Sequence, residues 1–83
     1  MREVYLLPQA QEDLESIQDP LWTEILEKIS FLKEYPDWGA PMDGPFTGTR
    51  SFVAGIFRVI YTIVSDKRIE ILYIRHCKRR LLA

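Results

Sequence analysis

Apolar positions along this chain keep two different periods, three to four residues in the first half and two in the second. Glu3–Leu7 (EVYLL) is rich in strand formers and predicts a short first strand. Pro8 breaks it and suits the first turn of a helix. From Gln9 to Ile17, Ala10, Leu14 and Ile17 recur at i, i+4 and i+7, the spacing of one helical face. Glu12 and Asp13 sit in its first half, toward the positive end of the helix dipole. Asp19-Pro20 reads as a stop and restart, with Asp19 as N-cap and Pro20 as first helical residue. The second helix runs to about Tyr35. Its apolar stripe is Trp22, Ile25, Leu26, Ile29 and Leu32, with Glu24 and Lys28 paired on the wet side. So short a connection folds the two helices into an antiparallel hairpin.

Pro36 ends the second helix. Asp37–Gly48 holds three of the four glycines and reads as a long ordered loop, with Trp38 and Phe46 tucked against the core. Alternation then predicts strands over Arg50–Ala54, Ile56–Val64 and Ile69 to Arg75 or His76, the last two joined by a turn at Ser65-Asp66-Lys67-Arg68. A tight turn centred on Asp66-Lys67 pairs residues whose numbers sum to 133. Val59 then faces Ile74 and Tyr61 faces Leu72, an apolar surface suited to the helices. The other face carries Arg58 beside Arg75, Ile60 beside Tyr73, and Thr62 beside Ile71. Like charges directly opposite are unfavourable, so the arginine pair implies an anionic ligand or another register. A one-residue bulge would instead set His76 across from Arg58. The predicted buried set is Leu14, Trp22, Ile25, Ile29, Val59, Tyr61, Leu72 and Ile74.

Composition narrows the class. Eighty-three residues, 47% hydrophobic and 28% charged, make one domain over 1–83. A chain of this size buries roughly 60% of its unfolded surface. No apolar run approaches the ~20 residues needed to span a membrane, and the acidic N-terminal stretch does not read as a signal peptide. The single cysteine, Cys77, excludes an internal disulfide and a multi-cysteine metal site, and a reducing cytoplasm is the expected location. No cofactor and no metal are expected. The net charge of -1 hides a split: from Arg50 onward eight Lys or Arg face two acids, while before it three face ten. Such asymmetry points to a polyanion on one side and a basic partner on the other.

Four segments, in this order, resemble the RelE/ParE toxin superfamily of bacterial type II toxin–antitoxin modules. They are PQAQEDLESI (Pro8–Ile17), ILEKISFLKEYP (Ile25–Pro36), GIFRVIYTI (Gly55–Ile63) and IRHCKRR (Ile74–Arg80). The resemblance covers essentially the whole chain. It implies an α+β fold of order β-α-α-β-β-β, a mainly antiparallel sheet with the helix hairpin on one face. It also implies an antitoxin partner in a hetero-oligomer. One branch of the superfamily cuts mRNA on the ribosome; another, ParE-like, poisons DNA gyrase without nuclease activity. A third possibility is a nuclease-dead member that mainly binds its antitoxin. The short helix connection resembles the RelE branch.

Metal-free RNA cleavage needs a base for the 2′-OH, cations for the phosphate, and an acid for the leaving 5′-oxygen. The resemblance implies a 2′,3′-cyclic phosphate and a 5′-hydroxyl as products. It assigns Arg58 to the scissile phosphate, which a guanidinium grips through two oxygens. It assigns His76, eighteen residues later, to proton transfer, and Arg79 to a second phosphate contact. Arg50, Arg75, Lys78 and Arg80 would bind the RNA around them. Asp43 is the nearest carboxylate to the base position of the YoeB-type toxins, but in PMDGPF it reads better as a turn residue. The chain departs from the RelE pattern in having only Arg50 as a cation on the strand Arg50–Ala54 and no tyrosine near its end.

Overall fold

The computed structural model of the chain describes residues 2–77. The strands are β1 (Glu3–Leu6), β2 (Ala40–Pro41), β3 (Arg50–Ala54), β4 (Phe57–Ser65) and β5 (Arg68–His76). The helices are α1 (Pro8–Glu15) and α2 (Leu21–Phe31), and two short 3-10 turns cover Pro36–Trp38 and Gly44–Phe46. The strands form one sheet in the order β1-β5-β4-β3-β2. β1 lies parallel to β5 and every other neighbour is antiparallel. This is the expected α+β layout with one strand more. Ala40–Pro41 pairs with Arg50 and Ser51 inside a segment whose prolines and glycines read only as loop.

Both helices cover one face of the sheet. Ala10, Leu14 and Ile17 from α1 and its exit meet Ile25, Ile29 and Leu32, with Phe52, Ala54, Val59, Tyr61, Ile69, Ile71 and Ile74 from the strands beneath. Asp19 does the capping of α2 from one position further out than expected: its carboxylate accepts the Thr23 N–H at 3.0 Å and also takes the Thr23 hydroxyl. Trp22 does not enter the core but stays 39% exposed. Leu21 packs against the core in that first turn, over Gly55. Gly55 opens the two-residue β3–β4 turn at φ +60, and a Cβ there would sit 2.3 Å from Leu21 Cδ2. Only glycine meets both demands.

The β4–β5 register follows the predicted sum at Arg58–Arg75, Val59–Ile74 and Ile60–Tyr73, then shifts. Tyr61 pairs with Ile71 and Thr62 with Glu70, so Leu72 is the extra residue of a bulge. Leu72 is therefore only half-buried, and Ile71 takes the core position expected of it. The bulge lies on the Tyr61 side, so it does not carry His76 across from Arg58.

The second face is not open throughout. Ile60 and Ser51 are buried there, although neither belongs to the core under the helices. The segment 42–49 folds over this middle zone: Phe46 meets Tyr73 edge-on at 6.4 Å, and the Thr62 hydroxyl donates to Gly48 O at 3.4 Å. Phe46 thus packs on the face away from the helices, and Trp38 stays largely exposed over Phe52. What remains accessible on this face is divided into two ends of different charge.

Candidate functional site

One end of the second face holds the two arginines. Arg58 on β4 and Arg75 on β5 are direct cross-strand partners, with Val53 of β3 on the other side of Arg58. Cys77 N–H donates to Ile56 O at 2.7 Å, which makes Arg58–Arg75, two residues along, a hydrogen-bonded pair. Such partners hold their Cα atoms about 5.5 Å apart, so the two side chains start from neighbouring positions on the same face of the sheet. The Arg75 guanidinium lies 4.8 Å over the Tyr73 ring. Tyr73 in turn is braced by Phe46, so the covering segment 42–49 helps to set the direction of Arg75. Among the described residues, no carboxylate forms an ion pair with Arg58 or Arg75.

The other end of the face is neutralised. Arg68 bonds Glu70 at 2.9 Å and stacks 3.9 Å over Tyr5. Of the described arginines on this face, Arg58 and Arg75 are thus the two without a carboxylate partner.

Two candidates expected beside Arg58 lie elsewhere. His76 pairs with Phe57, its ring 5.7 Å from the Phe57 ring, on the face that the helices cover. Arg50 pairs with Tyr61, also on that face. Its guanidinium donates to Gly39 O at 2.6 Å and to Asp37 O at 3.3 Å, with the Asp37 carboxylate at 3.9 Å. Arg50 is a strut for the 3-10 turn Pro36–Trp38. The Tyr61 hydroxyl completes that strut: it donates to Pro36 O at 2.6 Å and accepts the Gly39 N–H at 2.9 Å. Burial pushes the Tyr61 phenol above its ordinary value, partly offset by the Gly39 N–H and the Arg50 charge.

Asp43 is exposed at the start of the Gly44–Phe46 turn, where its carbonyl accepts the Phe46 N–H, the behaviour of a turn residue. Lys78, Arg79 and Arg80 lie outside the described residues. The structure thus joins Arg58 and Arg75, adds Tyr73 and Phe46 as their support, and separates them from His76 and Arg50. Parity carried the signal for Arg50: it shares its phase with Phe52 and Ala54, both core residues.

A family model of the ParE toxin of type II toxin–antitoxin systems matches residues 4–81. The chain belongs to this family. The toxin's fold is also that of several solved structures. The RelBE2 toxin–antitoxin complex of Mycobacterium tuberculosis contains a chain with a TM-score of 0.81 and 24% identity, covering 90% of this chain and 96% of that one. The chromosomal ParDE system of P. aeruginosa gives 0.75 and 21%, over 94% and 98%. The YoeB–YefM complex of Staphylococcus aureus gives 0.74 and 19%, over 92% and 97%. No curated protein sequence matches the toxin. It is a toxin of the RelE/ParE superfamily, and the neighbours in fold come from both of the branches named above. No helix among the described residues is long and apolar enough to cross a membrane.

Proposed function

We propose that the toxin acts on RNA in the cytoplasm, cutting mRNA on the ribosome with a phosphate held between Arg58 and Arg75. The observation that carries this reading is the cross-strand pairing of two arginines that no described carboxylate neutralises. Like charges set opposite each other weaken a sheet, and a bound phosphate turns that repulsion into attraction. In the proposed reaction the 2′-hydroxyl gives its proton to water as its oxygen attacks phosphorus, the bond to the 5′-oxygen breaks, and that oxygen takes a proton from water, leaving a 2′,3′-cyclic phosphate and a 5′-hydroxyl. The guanidinium groups stabilise the negative charge that grows on the non-bridging oxygens. Tyr73 orients Arg75 and offers a ring to an unstacked base. Arg79 remains a proposed further phosphate contact, with Lys78 and Arg80 binding RNA beside it. His76, across the sheet from Arg58, is given no proton transfer at that phosphate. The proposed route uses no metal.

We further infer a cognate antitoxin whose acidic segment covers the Arg58–Arg75 end and silences the toxin; complexes with antitoxins among the neighbours in fold support this.

A second reading, a toxin directed at DNA gyrase without nuclease activity, is favoured by the same placement of His76 and by the match to the ParE toxin model. Inducing the toxin and mapping mRNA 5′ ends separates the two. New ends inside translated frames support RNA cleavage. Intact mRNA with accumulating DNA breaks supports the gyrase reading and refutes the first.

A further inference from the structure

On the helix side of the sheet, the end of α2 carries an exposed aromatic cluster. Phe31, Tyr35 and Trp38 keep 46%, 54% and 43% of their surface in solvent. Their rings nonetheless touch: Phe31 stacks on Tyr35 at 4.8 Å and meets Trp38 edge-on at 5.5 Å, while Trp38 rests on Phe52 at 4.9 Å. With Glu34, Pro36 and Asp37 they line an open cleft of about 480 Å³. Large aromatic rings left half-exposed in one place mark an interaction surface rather than scattered surface apolar residues.

The cleft is held ready. Its Pro36–Trp38 wall is fixed from beneath by the Tyr61 hydroxyl and the Arg50 guanidinium. Four hydrogen bonds from core strands thus stabilise a surface turn. A surface already rigid loses little conformational entropy on binding.

Charge selects the occupant. Glu34 and Asp37 line the cleft, and Glu27 lies one turn before Phe31 on the same side of α2. A nucleic acid would be repelled here. A second copy docking through the same surface would set these carboxylates against their own counterparts. We propose that the Phe31–Tyr35–Trp38 cleft docks a basic, amphipathic segment of a partner protein. An apolar side chain of that segment fills the cleft, and its Lys or Arg residues meet Glu34 and Asp37 and the faces of Trp38 and Tyr35. The surface is on the opposite side of the sheet from Arg58 and Arg75, so both can be occupied together. The proposal stands whether the toxin acts on RNA or on gyrase.

The test is an NMR titration of the full chain with two synthetic helical peptides, one of Lys and Leu with a single Trp, the other with Glu replacing every Lys. The cationic peptide is expected to shift amide signals of Phe31–Trp38 and to bind on the order of tenfold more tightly than its acidic twin. Trp38→Ala and Tyr35→Ala are each expected to weaken it about tenfold. Glu34→Lys combined with Asp37→Asn, both on the surface, should reverse the preference between the peptides. Equal binding of the two peptides, shifts confined to β4 and β5, or no binding would each overturn the proposal. So would self-association of the chain that Trp38→Ala abolishes, which would make a second copy the occupant.

Discussion

The Asp13 carboxylate accepts the backbone N–H of Ile74 at 3.0 Å, joining α1 to β5 across 61 residues of sequence. β1 ends at Leu6 and its pairing with β5 stops at Ile71, so the outer edge of β5 beyond that point has no neighbouring strand among the described residues. Asp13 supplies there the acceptor that a strand would have supplied. This is a different use from the helix-dipole role that its position in the sequence implied.

Removing that acceptor should therefore loosen the last turn of the sheet that carries Arg75. Asp13→Ala is expected to destabilise the toxin by about 1–3 kcal/mol, the usual cost of an unsatisfied buried donor. Hydrogen exchange at the Ile74 amide should quicken well beyond that at Val59. Asp13→Asn keeps an oxygen acceptor and should retain most of the stability; equal losses in both variants would count against the hydrogen bond as the cause.

Arg50 should behave as a structural residue. Arg50→Ala leaves Gly39 O and Asp37 O without their donor and is expected to cost about 1–2 kcal/mol in chemical denaturation. Binding of a short single-stranded RNA to the folded variant should be unchanged. A large loss of RNA affinity at unaltered stability would return Arg50 to the binding surface.

Tyr61 gives the fold a pH limit of known sign. Its phenol titrates above the ordinary value of 10.0 when folded, so the folded chain holds this proton more tightly than the unfolded chain. The stability it contributes is complete below the unfolded value and is lost as pH rises through the higher, folded one. Unfolding measured from pH 8 to 11 should show an alkaline fall that is shallower in Tyr61→Phe. That variant should also be about 2 kcal/mol less stable near neutrality, with Pro36 O and the Gly39 N–H both left unpaired.

Much of this architecture was legible as pattern. Period-two alternation located β3, β4 and β5, and a turn at Asp66-Lys67 predicted Arg58 opposite Arg75; the structure reaches that pairing through two compensating shifts, one at Val64 and one at Leu72. The same register pairs His76 with Phe57, a core-facing residue, so strand parity alone separates the imidazole from Arg58. Nearness to the basic ending masked that signal. The bulge at Leu72 could not be read, because ILYI (Ile71–Ile74) offers apolar residues for either phase and only packing under the helices chooses Ile71 over Leu72. Nor could the cover over Ile60. The Gly- and Pro-rich segment names a loop, but tertiary contacts decide which face it crosses.

Arg58 is where stability and function should part. Its side chain is only half-buried and faces Arg75 across the strand, with no described carboxylate as a partner. Arg58→Ala removes a like-charge pair and should leave the fold as stable as before or raise its stability by up to about 0.5 kcal/mol. Toxicity should fall all the same. Losing one cation at a developing phosphate charge typically costs about 3 kcal/mol, on the order of a hundredfold in rate. Arg58→Lys should restore little, since an ammonium cannot grip two oxygens in one plane. His76→Ala, across the sheet, should reduce cleavage far less than Arg58→Ala. The comparison is made by growth after induction, mRNA 5′-end mapping and thermal unfolding on the same three variants. An Arg58→Ala variant that unfolds earlier and loses toxicity only in proportion would make the arginine structural. A His76→Ala variant as inactive as Arg58→Ala, at full stability, would bring the imidazole back into the reaction.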